Sequence, residues 1–190
     1  MRFILVMITL IIFITMSYAD TKLIKHEDNE FGYSFLYPSD WTKKTKPVPS
    51  GKLVIVYSKT TPKLTCQVVA TKLDYINSVD FITDYTKKNP LTKQSWYERF
   101  KPTSEVLNII QNKQVMIAGI IAEQAVFENT NSVPHYGKLY GKYLANFMNT
   151  PGKTWNIMCS VMGISKEKVT NSYSLNGSRL KGILSTLKFN

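Results

Sequence analysis

The stretch Phe31–Trp41, FGYSFLYPSDW, restricts the fold of this chain more than any other. Phe31, Tyr33, Phe35 and Tyr37 alternate with Gly32, Ser34 and Leu36, the period of a strand with one strongly apolar face. Pro38 ends the strand because it has no N–H for a ladder. Ser39 and Asp40 then turn the chain, and Trp41 re-enters the interior as a large anchor.

Ahead of this strand, Met1–Ala19 has the pattern of a cleavable signal peptide. Arg2 supplies a positive start, Phe3–Ile14 is apolar except for Thr9, and Ser17-Tyr18-Ala19 places small residues before a cut at Asp20. The apolar run is shorter than the roughly 20 residues of a transmembrane helix. No Cys stands at the cleavage site, which argues against a lipid-anchored protein. The expectation is export, to the periplasm or the outside, with 20–190 as a single domain. Removing Arg2 leaves 23 basic against 13 acidic residues, a net charge of +10 that favours anionic surfaces or acidic partners. The lysines are scattered in small clusters, so no polybasic tail forms, and specific nucleic-acid binding is not expected.

Cys66 and Cys159 both survive signal cleavage, each inside a strand-like run, LTCQVVA and WNIMCSV. In an oxidising compartment the pair reads as one disulfide; the alternative is two buried thiols behaving as small hydrophobes.

Along the chain, Thr21–Glu30 reads as a polar lead-in and KKTKPVPSGK after Trp41 as a solvated loop. Leu53–Tyr57 and Leu64–Leu73 read as strands. Ser78 and Asp80 suit a helix start, with Val79, Ile82 and Tyr85 at helix spacing and Asn89-Pro90 as the stop. Thr92–Phe100 predicts a second short helix. Glu105–Gln111 and Val115–Phe127 predict a hairpin turning at Gln111–Lys113, and VMIAGIIA suggests central strands covered on both sides. Tyr136–Phe147 and Thr154–Met162 predict the next hairpin, joined by Asn149-Thr150-Pro151-Gly152. A helix opening at Ser165 is expected to break near Asn176-Gly177. It resumes with Leu180, Ile183, Leu184 and Leu187 as a core-facing stripe.

In this order, the strand closed by Pro-Ser-Asp-Trp, the IAGIIAEQAVF run, the Tyr-rich hairpin and the final LKGILSTLKF resemble PsbP-like domains. Those are α/β/α sandwiches named for an extrinsic subunit of the photosynthetic oxygen-evolving complex. The resemblance implies an α+β fold: a central antiparallel sheet of about six to seven strands with helices on both faces. It also implies a mostly non-catalytic role, since members dock to photosystem subunits, bind a small GTPase in nuclear import, or serve as bacterial envelope lipoproteins. A photosynthetic role is not favoured, because the export signal is bacterial in style and no transit peptide precedes it.

Catalytic motifs are missing. Pro151-Gly152-Lys153-Thr154 mimics the end of a phosphate loop, but Phe147 stands where the first Gly is required. There is no G-x-S-x-G and no H-E-x-x-H, and the two histidines, His26 and His135, are far apart in sequence. No cofactor, metal or catalytic residue is expected. The remaining constellation is a basic-aromatic ladder, Tyr136, Lys138, Tyr140 and Lys142, with His135 at its edge and Leu139, Tyr143, Ala145 and Phe147 on the opposite, core-like face. A half-covered sheet face with snorkelling lysines accounts for the same pattern. The favoured function is an exported binding or accessory protein that docks on an envelope or extracellular partner, a protein or an anionic component. The alternative is a secreted virulence-associated exoprotein or hydrolase with its site in loops.

Overall fold

In the computed structural model, which describes residues 22–74, 78–135 and 137–190, the aromatic strand is the middle of a small sheet. The expected signal segment and Tyr136 lie outside the described residues. The chain runs β1 (Leu23–Asp28), β2 (Tyr33–Pro38), β3 (Thr42–Val48), β4 (Gly51–Tyr57) and β5 (Lys63–Lys72), then α1 (Val79–Lys88) and α2 (Lys93–Phe100). After a single 3-10 turn come β6 (Val106–Ile117), β7 (Ile120–Val133), β8 (Gly137–Thr150), β9 (Lys153–Gly163), α3 (Lys166–Ser185) and β10 (Lys188–Phe189). The small sheet has the order β1-β2-β10 and the large antiparallel sheet the order β3-β4-β5-β9-β8-β7-β6.

Alternation along β8 separates two apolar clusters. Leu144 and Met148 belong to the larger one, with Val54, Val56, Val68, Ile157 and Val161. Phe31, Tyr33, Phe35, Tyr37 and Trp41 cover it from the small sheet, and Leu180, Ile183 and Leu184 from α3. Tyr143 and Ala145, with side chains on the opposite face, join Ile109, Phe127 and Trp96 of α2 in the second cluster. Its rings stack in a row, Trp96 on Phe100, Phe100 on Phe127 and Phe127 on Tyr143.

Each helix is capped where the sequence suggests. Ser78, Thr92 and Ser165 accept hydrogen bonds from the backbone N–H of Phe81, Ser95 and Lys168. Cys66 and Cys159 are register partners on β5 and β9, and they form a disulfide.

Four sequence expectations change. Residues 43–47, read as loop, lie in the edge strand β3, whose lysines and Pro47 leave its outer side unattractive for further pairing. The lead-in contains β1, paired with β2 from Leu23↔Pro38 to Asp28↔Tyr33. The β6–β7 hairpin turns at Ala118-Gly119, where φ is +48° and +81°, not at Gln111–Lys113. Of the VMIAGIIA run, Val115–Ile117 lie in β6 at the edge of the large sheet, whereas Ile120–Ala122 lie in β7 between β6 and β8. Finally, α3 runs unbroken through Asn176-Gly177, with Asn176 Nδ2 donating to the Ser172 carbonyl.

Candidate functional site

The ladder of β8 is the surface that the sequence singles out, and the fold treats its members differently. Gly137–Thr150 pairs with β7 on one side and β9 on the other, so the alternating side chains stand above and below the sheet. Tyr140 is half-buried and packs against the larger cluster under α3. Lys142 forms an ion pair with Glu128, its cross-strand partner, at 2.9 Å. Its Nζ also lies 5.3 Å from the ring centre of Tyr173 on α3. Only the outer end is open. Lys138 and His135 are exposed, and His135 occupies the turn after β7 with φ +68°.

The open end carries a fixed negative charge. Glu105 accepts hydrogen bonds from the backbone N–H and the hydroxyl of Ser132, both at 2.9 Å. These bonds, with a smaller contribution from Lys138, hold its carboxyl pKa below the usual range. Ser132 faces Lys138 across the β7–β8 ladder, so the outer end combines a carboxylate, an ammonium and an imidazole. Beneath it, Tyr140, Glu128, Thr130, Lys166, Val169 and Thr170 enclose a small groove of about 100 Å³. That volume suits a few water molecules and not a substrate.

Pro151-Gly152 is the turn between β8 and β9, with Gly152 at φ +69°. Among the described residues no group of three His, Cys, Asp or Glu side chains is placed to hold a metal ion, and no helix is long and apolar enough to cross a membrane.

His26, within the stretch Thr21–Glu30 that the sequence suggests is a polar lead-in, is 7% exposed on β1 and lies edge-on to the rings of Tyr33 and Phe35. Burial, and next Lys43, hold its pKa below the ordinary 6.5; Asp28 opposes this and Lys52 adds to it. The unfolded chain therefore binds a proton more readily than the folded one. The contribution to stability is full above about pH 6.5 and is lost as pH falls from there through the lower folded pKa. The ion pair of Asp28 with Lys52 at 2.9 Å acts further down, because Asp28 titrates below its ordinary 3.8. Thermal unfolding between about pH 7.5 and 5.5 is expected to show a falling midpoint that His26→Phe flattens. Equal slopes for the two proteins would refute this assignment.

The architecture is the PsbP-like fold, as two solved structures show. The solution structure of cyanobacterial PsbP (CyanoP) from Synechocystis sp. PCC 6803 is 14% identical with a TM-score of 0.56, the match covering 91% of this chain and 95% of that one. The Ran-binding protein Mog1p of Saccharomyces cerevisiae is 8% identical with a TM-score of 0.51, covering 90% and 96%. No family model matches the sequence, and no curated protein matches it.

Proposed function

We propose that this chain is an exported, non-catalytic binding module that docks on a protein or anionic component of the cell envelope or its surroundings. The observation that carries the reading is the fold itself, shared at 0.51 with a protein described as Ran-binding and at 0.56 with cyanobacterial PsbP. Its frame is taken as an α/β/α sandwich, supported by the cluster under α2 on one face of the large sheet and α3 on the other. Export is supported by the leader pattern of residues 1–19 and by the disulfide, which persists in oxidising compartments.

The contact surface is assigned to the outer end of β8, where His135 and Lys138 are exposed, with Tyr136 included from its place in the sequence ladder alone. Tyr140 and Lys142 support it from beneath. An excess of ten positive charges in residues 20–190, 23 basic against 13 acidic, suits an acidic counterpart.

The test is fractionation of the producing cell with intact-mass measurement, followed by crosslinking of the processed protein. The expected product begins at Asp20, lacks two hydrogens, and crosslinks to one dominant partner. Lys138→Glu with Lys142→Gln is expected to weaken that crosslink several-fold; glutamine spares Glu128 a facing carboxylate. An unprocessed, membrane-held chain would overturn the export reading. An unchanged crosslink would remove the ladder as the surface.

A further inference from the structure

The two edges of the large sheet are unlike. β3 carries Lys43, Lys44, Lys46 and Pro47, a combination that discourages strand pairing. β6 extends over 12 residues with a single charged side chain, Lys113, and no proline. Its one interruption is the bulge at Ile110, whose carbonyl accepts from Lys93 Nζ. The two-residue turn at Ala118-Gly119 makes Ile117 and Ile120 a hydrogen-bonded pair, so alternate residues spend their backbone groups on β7. Asn112, Gln114 and Met116 then point theirs away from it. The open template is Asn112–Met116, and Met116 is 64% exposed.

Beside this template lies a groove of about 390 Å³ between the β6–β7 hairpin and the C-terminal end of α3. Val115, Ile117, Leu144 and Leu184 line it, and Lys113 and Lys181 stand at its rim. Both lysines are exposed, and neither forms an ion pair among the described residues. Lys113, Val115 and Ile117 project from the same face of β6 at successive two-residue steps. A strand laid along the edge would therefore meet a cation, then apolar surface, then apolar surface again.

We infer that β6 is a docking edge for an extended, acidic-apolar peptide segment of a partner, which adds as an eighth strand. Its backbone pairs with Asn112–Met116, alternate apolar side chains enter the groove, and a carboxylate two residues away sits between Lys113 and Lys181. Backbone pairing supplies affinity and the groove supplies selectivity. The rim charge favours an acidic segment over a second copy of this chain, which carries the same positive excess. The surface is separate from the outer end of β8, so either can fail without the other.

The probe is a fluorescein-labelled peptide, Thr-Glu-Thr-Val-Thr-Val-Thr, followed by anisotropy against the mature protein, with a lysine-for-glutamate analogue as control. Saturable binding is expected for the first peptide and at least about tenfold weaker binding for the second, the ratio that 1.4 kcal/mol represents. Lys113→Glu with Lys181→Glu is expected to reverse the order of the two peptides. Met116→Pro removes an outward N–H without touching the β7 ladder and is expected to abolish binding. N-methylation of the peptide tests the same point without altering the protein: methyl groups along one edge abolish binding, and along the other edge they do not. Absence of saturable binding, equal binding of both peptides, or indifference to N-methylation at both edges would each overturn the inference. So would light scattering that shows a dimer dispersed by Met116→Pro, since a second copy would then occupy the edge.

Discussion

Replacing Cys66 and Cys159 together by alanine is expected to lower folding stability by about 4–5 kcal/mol, the chain-entropy value for a loop of this length. The two residues lie 93 apart in sequence and face each other on β5 and β9, adjacent strands in the middle of the large sheet. The segment between them holds α1, α2 and β6–β8, so the bond restrains half of the unfolded chain. Both side chains are buried in the larger cluster, and losing the sulfurs adds a small packing cost to the entropic one. Urea unfolding of the parent and the double variant measures the difference. Dithiothreitol should bring the parent most of the way to the variant and leave the variant unmoved. A difference under about 1 kcal/mol would mean that the unfolded chain is compact enough for the crosslink to restrain little.

Trp155→Ala is expected to cost about 3–5 kcal/mol, in the range of large aromatic truncations in a core. Trp155 is 1% exposed on β9, between its register partners Ala70 and Met148. The small Ala70 side chain leaves room for the indole, which meets Tyr33 edge-on at 5.2 Å and Phe189 at 4.7 Å between ring centres. Its Nε1–H donates to Thr150 Oγ1 at 2.9 Å. One side chain thus touches both β2 and β10, and its removal undercuts the small sheet before the large one. Hydrogen exchange is expected to show lost protection at Tyr33 and Phe35 ahead of Val68 and Ile157. Uniform loss across both sheets would refute this local role.

How much of this was legible in the sequence follows from where each residue sits. The alternation of Phe31–Tyr37 and the stripe from Leu180 to Leu187 were readable because their apolar residues face one buried layer. β3 was not, because an edge strand with Lys43, Lys44, Lys46 and Pro47 has no apolar period to show. Gln111–Lys113 looked like a turn for the opposite reason. Asn112 and Gln114 are polar inside a strand because their side chains donate to the carbonyls of Leu91 and Thr86, near the ends of the two short helices. The true turn, Ala118-Gly119, lacks the Asn-Gly or Asp-Gly signature. Gly177 suggested a helix break, yet it is tolerated on an open face of α3 where nothing approaches within 4 Å.

The site was less legible than the fold. Tyr136–Lys142 reads as a uniform ladder, but Glu128 and Tyr173, remote in sequence, hold Lys142 beneath the open end rather than at it. The pairing of Lys113 with Lys181 across a groove left no trace in sequence spacing, because β6 and the end of α3 meet only in the folded chain.

The small sheet has a consequence for the order in which the molecule assembles. β2 is bordered by β1 on one side and by Lys188–Phe189 on the other, and Asn190 N–H donates to the Gly32 carbonyl at 2.8 Å. Thr186 Oγ1 accepts from Leu36 N–H at 2.8 Å, adding a second tie to the same strand. A chain that emerges from its N-terminal side exposes the aromatic strand more than 140 residues before these partners exist, since the separation from Leu36 to Thr186 is 150. Long-range closure of this kind comes last in vectorial synthesis. Until residues 186–190 join it, β2 has only β1 as a strand partner, so closure of the small sheet waits on a segment that becomes available long after the aromatic strand itself.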